Sequence, residues 1–147
     1  MTEIIASILK TKGNAVWSVA PDSTVYDAIS LMAERSVGAL LVLSENQLVG
    51  IISERDYARK VILQGRSSKD TPVHEIMTRS PITVTPDHTV DECMVIMTQC
   101  RIRHLPILDR ARVVGVLSIG DLVKAIIRAQ AHTIDQLHTY ISGSYPS

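Results

Sequence analysis

The chain contains an internal duplication. When the sequence is shifted by 65 positions, residues 19–62 align with residues 84–127 without a gap, and thirteen of the 44 pairs are identical. A single copy would leave an apolar face uncovered, so the two copies are expected to pack sheet to sheet around one core, related by a pseudo-twofold axis. The first copy is assigned to residues 1–65 and the second to 66–147. The identical residues of the first copy are Val19, Pro21, Asp22, Thr24, Val25, Met32, Leu40, Leu43, Val49, Gly50, Ser53, Asp56 and Ile62.

Local signals predict a β-α-β-β-α unit in each copy, which puts the chain in the mixed α/β (α+β) class. Thr24 and Thr89 each precede an acidic residue at capping-box spacing, so each is expected to start a helix. Two apolar strands joined by a polar loop follow each helix. The strands are predicted at 39–43 and 48–52 in the first copy and at 104–108 and 113–117 in the second. The closing helices are predicted over 54–63 and from 119 to about 138.

The segments ahead of the two copies are predicted to be helical too. Thr2 is expected to cap a short helix through Leu9, and Thr71 is expected to be an N-cap with Pro72 at the first helical position. The first helix of each copy carries more apolar residues than one buried stripe needs, which favours a homodimer. These residues are Ala28, Ile29 and Met32, with Cys93, Met94 and Met97.

Composition excludes several classes of protein. The 15 basic and 15 acidic residues balance, which argues against a nucleic-acid-binding protein. No apolar run reaches the roughly 18 residues of a membrane span, and the N-terminus lacks the basic region of a secretory signal. Cys93 and Cys100 would lie about 10 Å apart on one helix, too far for a disulfide. The cytoplasm is therefore the expected compartment. Neither metal-ligand spacing nor a catalytic constellation is recognisable, so no metal and no enzymatic activity are expected.

The second strand of each hairpin ends in one shared signature. It reads GIISERD at 50–56 and GVLSIGD at 115–121: Gly, two apolar residues, Ser, any two residues, then Asp. With the PDxTV sequence about 30 residues upstream and the duplication itself, this signature closely resembles the CBS domain family. The arrangement is similar to a tandem CBS pair, also called a Bateman module. The resemblance covers about residues 7–130.

The resemblance implies a regulatory role. Such modules bind adenine nucleotides, commonly AMP, ADP or ATP and sometimes NAD(H) or S-adenosylmethionine, in two clefts between the repeats. They pair as flat homodimers and alter a partner enzyme or channel. This chain would be a stand-alone member that acts on a separate, unknown protein. The resemblance also places the entry of each hairpin against the nucleotide: Ser36, Val37, Gly38 and Ala39 in one copy, and Arg101, Ile102, Arg103 and His104 in the other.

The Ser-x-x-Asp signature has chemistry suited to such a ligand. A carboxylate only accepts hydrogen bonds, so Asp56 and Asp121 suit a ribose diol, with the hydroxyls of Ser53 and Ser118 beside them. A helix N-terminus at the same point offers free amides to a phosphate, and Arg55 adds charge in the first copy. The second copy has Gly120 at that position, so its charge would come from Arg101, Arg103 and His104. Ser-x-x-Asp also has capping-box spacing, so both pairs could simply start helices.

Three functions remain open at this point. The first is a regulatory sensor of AMP or another adenine nucleotide. The second is an NAD(H)-binding redox sensor, which differs only in ligand. The third is a structural dimerisation module with empty clefts.

Overall fold

A computed structural model describes residues 3–13 and 15–141. The strands are β1 (Ser18–Val19), β2 (Ala39–Ser44), β3 (Gln47–Ser53), β4 (Thr78–Arg79), β5 (His104–Asp109) and β6 (Arg112–Ser118). The α-helices are α1 (Ile5–Lys12), α2 (Val25–Arg35), α3 (Glu54–Tyr57), α4 (Val90–Cys100) and α5 (Ile119–Ile141). A π-helical turn, Ala58–Ile62, continues α3, and a 3-10 turn covers Val73–Glu75.

The predicted β-α-β-β-α order is confirmed in both copies. In the first, β1 pairs in parallel with β2, which pairs antiparallel with β3. In the second, β5 and β6 form the antiparallel hairpin, and a parallel bridge from Val84 to Ile107 takes the place of β1. The linker between the two repeats, residues 63–83, adds the short strand β4 to the first sheet, whose order is β1-β2-β3-β4. That strand was not predicted.

The duplication extends to the backbone details of the helix ends. The hydroxyl oxygen of Thr24 accepts a hydrogen bond from the Asp27 amide at 3.1 Å, and that of Thr89 accepts one from the Glu92 amide at the same distance. At the other ends of α2 and α4, the C-cap residues have identical left-handed conformations, with φ 55° and ψ 44°. The predicted helix starts are therefore confirmed.

The buried side chains form two clusters rather than the single core that was expected. Each repeat has its own cluster, and each cluster is completed by the segment that leads into the other repeat. Ile5 and Ile8 of α1 pack in the cluster of the second repeat, while Val73 and Ile76 of the linker pack in that of the first. Backbone hydrogen bonds hold both segments in place. In α1, for example, the Ile5 amide donates to the His88 carbonyl at 2.9 Å. The assignment of a boundary after residue 65 stays a prediction.

Several local expectations need correction. Pro72 is the extended N-cap of the 3-10 turn rather than its first residue. Thr71 does not cap it, because its buried hydroxyl donates to the Ser67 carbonyl at 2.7 Å. The helix predicted over 54–63 changes from α to π after Tyr57. The first helix begins after Ile4 and runs past Leu9, and the expected cap Thr2 lies outside the described residues.

The apolar residues that favoured a homodimer are mostly used inside the subunit. Ala28, Met32, Cys93 and Met97 are fully or almost fully buried in the two clusters. The exposed large apolar side chains include Val95 of α4 and four residues of α5: Val123, Ile127, Ile134 and Leu137. Among the described helices, none is long and apolar enough to cross a membrane.

Candidate functional site

A cleft of about 960 Å³ lies between the two repeats. Its walls come from Gly38, from residues 51–60 at the end of β3 and in α3 and the π turn, from residues 78–82 of the linker, and from residues 100–104 at the entry to β5. We call it cleft 1. Because the C-termini of β3 and α4 meet there, side chains from both repeats can contact one bound molecule.

Cleft 1 brings together most of the residues that the sequence singled out. Eight of the thirteen line it: Gly38, Ser53, Arg55, Asp56, Arg101, Ile102, Arg103 and His104. The other five are Ser36, Val37, Ala39, Ser118 and Asp121, and they lie outside this lining. Ser118 and Asp121 occupy the equivalent place in the second copy, which separates the predicted residues into two sets.

Asp56 forms a complete capping box with Ser53. The Asp56 Oδ2 accepts hydrogen bonds from the Ser53 amide and the Ser53 hydroxyl, both at 3.0 Å, and the Asp56 amide donates to Ser53 Oγ at 3.2 Å. Ser53 and Asp56 therefore do form the capping box that their spacing indicates. It uses Oδ2, whereas Oδ1 lies 3.2 Å from the Lys60 ammonium. The capping bonds thus leave the second carboxylate oxygen for a charged partner or a ligand.

Arg55 bridges cleft 1 from one repeat to the other. Its Nη1 donates to the carbonyl oxygen of Arg101 at 3.4 Å. Arg101 is the left-handed C-cap of α4, and this conformation directs the chain into β5. The α-helical part of α3 is only four residues long, so its dipole contributes less to anion binding than the sequence suggested. The side-chain cations are the larger source of positive charge.

The lining of cleft 1 is strongly basic. Two carboxylates, Glu54 and Asp56, face five cations in the same cleft. The cations are Arg55, Arg59, Lys60, Arg101 and Arg103. Sequence reasoning missed Arg59 and Lys60, although each lies four residues after a predicted site residue and so on the same helical face.

The sequence also did not predict that the linker forms one wall of cleft 1. Thr78, Ser80, Pro81 and Ile82 line the cleft because β4 pairs along the edge of β3. Gly50 permits this close approach, since a Cβ there would meet Met77 Sδ at 2.5 Å. The repetition of this glycine in both copies was the one sequence signal for a neighbouring segment at that point.

His104 lies where cleft 1 adjoins the second repeat. Its ring packs on Gly38, where an added Cβ would lie 3.5 Å from the imidazole. Burial lowers the pKa of His104, the charges of Lys12 and Arg103 lower it further, and Asp121 opposes them. The imidazole is therefore held towards its neutral form.

Asp121 has a different partner from Asp56. It keeps both capping bonds with Ser118. Its Oδ2 accepts a hydrogen bond from the Ser118 amide at 2.8 Å, and its own amide donates to Ser118 Oγ at 3.1 Å. Lys12 of α1 then donates to Asp121 Oδ2 at 2.6 Å. Burial on its own would raise the pKa of Asp121, but the bonds from Lys12 and Ser118 and the Lys12 charge outweigh it and hold that pKa below its ordinary value. Within residues 3–13 and 15–141, no group of three or more His, Cys, Asp or Glu could hold a metal ion.

Known proteins share this architecture. The CBS domain model matches residues 8–62 and 73–128. The CBS domain-containing protein CBSX3, mitochondrial, of Arabidopsis thaliana is 43% identical over 96% of this chain and 73% of that protein. The structure of a protein with CBS domains from Burkholderia ambifaria is 52% identical with a TM-score of 0.84, covering 86% of this chain and 96% of that one.

A more distant structure carries ligands. The CBS domain pair of protein MJ0100, in complex with 5′-methylthioadenosine and S-adenosyl-L-methionine, is 26% identical with a TM-score of 0.76. It covers 86% of this chain and 97% of that chain. The duplicated fold, the two Ser-x-x-Asp turns and the two matched segments agree, and the chain belongs to the CBS domain family as a tandem pair.

Proposed function

We propose that the chain is a regulatory module that binds AMP or another adenine nucleotide in cleft 1 and acts on a separate protein. The observation that carries this proposal is the pairing, in one cleft, of the Asp56 carboxylate with an excess of cations drawn from both repeats. A carboxylate accepts the two hydroxyl protons of a ribose, and arginines hold phosphate oxygens through paired donors.

The shape of cleft 1 supports the same ligand. Its volume of about 960 Å³ lies in the range of small-molecule pockets. Ile51, Pro81, Ile82 and Ile102 supply apolar surface against which a base can pack. Asp56 and the cations lie on the α3 and α4 sides of the same cleft. One nucleotide could therefore place its base, ribose and phosphate on three different kinds of lining.

NAD(H) is the second candidate ligand. The same cations would hold its two phosphates, and the volume of cleft 1 is at the upper end of the range for small-molecule pockets. A nicotinamide dinucleotide would make the module a redox sensor rather than an energy sensor.

We also propose that the module forms a homodimer. One face of α5 exposes Val123, Ile127, Ile134 and Leu137 at intervals of four, seven and three residues. These intervals keep the four side chains within one stripe along the helix. Leu122 and Ala125 of the same helix are buried in the core, so the stripe lies on a separate face. Light scattering tests the dimer: a concentration-independent mass near 16.2 kDa would contradict it.

A thermal-shift panel tests the proposed ligand. The purified protein is heated alone and with AMP, ADP, ATP, NADH, adenosine, GMP or GTP at millimolar concentration. A ligand at 100 times its dissociation constant stabilises the folded state by about 2.7 kcal/mol, which is several degrees for a chain of this size. The adenine nucleotides are expected to shift the transition more than GMP or GTP. No shift with any adenine compound would leave the structural dimerisation module as the better account.

A further inference from the structure

The duplication assigns an equivalent to each residue of cleft 1 that lies within residues 19–62 or 84–127, and these equivalents define a second cleft. Ile51 and Asp56 line cleft 1, and their equivalents 65 positions later are Val116 and Asp121. Lys12 joins these two equivalents, since its Nζ donates both to the Val116 carbonyl and to Asp121 Oδ2. The Lys12 side chain therefore lies in the second cleft, at the place that a ligand of cleft 1 would occupy against β3 and α3.

The glycines at matching places in the two hairpins, Gly50 and Gly115, are each covered by one apolar side chain. Beside Gly50 this side chain is Met77, which is buried in the core of the first repeat. In the second repeat, Leu9 fills the matching space beside Gly115, where an added Cβ would meet Leu9 Cδ2 at 2.7 Å. With that space filled one turn earlier, Lys12 is free to extend along β6 to Asp121. Two similar segments thus leave one cleft open and place an ammonium group in the other.

The two clefts also differ in charge, because the second cleft has fewer cations than cleft 1. Four of the five cations of cleft 1 have uncharged equivalents in the second copy, and the fifth, Arg59, is replaced by Lys124. Arg55 is replaced by Gly120, Lys60 by Ala125, Arg101 by Ser36, and Arg103 by Gly38. The second cleft has therefore lost most of the groups that would hold a phosphate. It has also lost the lysine that accompanies Asp56, and Lys12 supplies that charge to Asp121 from a distant part of the chain.

We propose that Lys12 is an internal occupant of the second cleft and that it limits the module to one nucleotide per chain, bound in cleft 1. The identity of the ligand rests on the proposed function, whereas the Lys12 contact does not. A ribose that entered the second cleft would have to displace an ammonium group from a carboxylate that is only 15% exposed. The loss of such a charged hydrogen bond weakens binding by roughly 10- to 100-fold.

Stoichiometry with AMP as the probe tests this inference. Native mass spectrometry and calorimetric titration are run on the full chain and on Lys12→Met, which removes the ammonium group and keeps a long unbranched side chain. Lys10→Met is the control, since Lys10 is an exposed lysine of the same helix. The wild type and Lys10→Met are expected to bind one AMP per chain and Lys12→Met two. The added site should take adenosine about as well as AMP, and Lys12→Met/Asp121→Asn should abolish it.

The outcomes separate the two proposals. Two equivalents of AMP on the wild type, or a single equivalent on Lys12→Met, would overturn the role of Lys12 while nucleotide binding stands. AMP binding to neither protein would overturn the proposed function and the one-ligand limit together. The contact itself is read without nucleotide by carbon-13 titration of the Asp121 carboxyl. Lys12→Met should raise the pKa of Asp121 and Lys10→Met should not, and an unchanged Asp121 pKa in Lys12→Met would overturn the contact.

Discussion

Arg55 donates a hydrogen bond to the carbonyl oxygen of Arg101 across cleft 1, at 3.4 Å. The bond joins the first turn after β3 to the end of α4, so one side chain links the two repeats at the proposed phosphate site. At this length the bond is weak, and a phosphate oxygen that carries negative charge would be a stronger acceptor. We therefore expect Arg55 to exchange its intramolecular acceptor for the phosphate when the nucleotide binds.

Replacing Arg55 should discriminate between ligands with and without phosphate. Arg55→Ala is expected to weaken AMP binding by about 1.5–3 kcal/mol, the usual scale for a hydrogen bond to a charged group, and to leave adenosine binding unchanged. Arg112→Ala, which removes an exposed arginine of β6, is the matched control. Calorimetric titration of both ligands measures the effect. Equal losses for adenosine and AMP would place Arg55 away from the phosphate.

His104 should make the stability of the protein depend on pH. Because burial and the Lys12 and Arg103 charges lower its pKa from 6.5, the unfolded chain takes up a proton at a higher pH than the folded protein does. The contribution of His104 to the free energy of unfolding is therefore fully present above pH 6.5 and decreases as the pH falls below that value. Urea unfolding at pH 7.5 and 5.5 should show a smaller decrease for His104→Gln than for the wild type.

The control for this titration is an exposed histidine of α5. His132→Gln should retain the pH dependence of the wild type, because His132 is solvent-exposed. If His104→Gln and the wild type lose stability equally on acidification, the imidazole of His104 does not carry the effect.

Because α1 packs on the second repeat, a substitution near the N-terminus is expected to lower the free energy of unfolding strongly. Ile5 is fully buried in the cluster of the second repeat. Ile5→Ala should therefore lower the free energy of unfolding by about 2–5 kcal/mol, as deletion of a buried isoleucine usually does. Leu63→Ala, at an exposed leucine outside the stripe of α5, serves as control and should change it by less than about 1 kcal/mol. Chemical denaturation measures both, and a cost below about 1 kcal/mol for Ile5→Ala would mean that α1 is not docked.

The structural features that were predicted correctly from the sequence are those that depend on local signals. Thr24, Thr89 and the Ser-x-x-Asp pairs cap helices as their spacing indicates, because a capping bond involves residues three positions apart. The apolar runs of strand length and the polar loop between them predicted the hairpins. The duplication then gave each element an equivalent, and the shared signature singled out Ser53, Arg55 and Asp56 of cleft 1 in advance, while Ile51 and Glu54 of the same elements were not predicted.

The missed features depend on contacts between distant parts of the chain. Lys12 meets Asp121 109 positions away, and no local pattern marks that pair. The same holds for the docking of α1 on the second repeat and of Val73 and Ile76 on the first, since a duplicated chain is compatible with either arrangement. The π turn after Tyr57 was hidden because its residues have the apolar spacing of an ordinary helix.

The most direct test of the account is calorimetric titration of AMP into the wild type and Asp56→Asn, beside the unfolding curves of the ligand-free proteins. Asp70→Asn, which alters an exposed carboxylate outside cleft 1, is the control. Asn keeps one acceptor for the capping bonds, so stability should change by less than about 1 kcal/mol. AMP affinity should fall by about 1.5–3 kcal/mol, because the ribose loses a charged acceptor. Unchanged AMP affinity in a destabilised Asp56→Asn would contradict the account, because it would show that Asp56 is a helix cap alone.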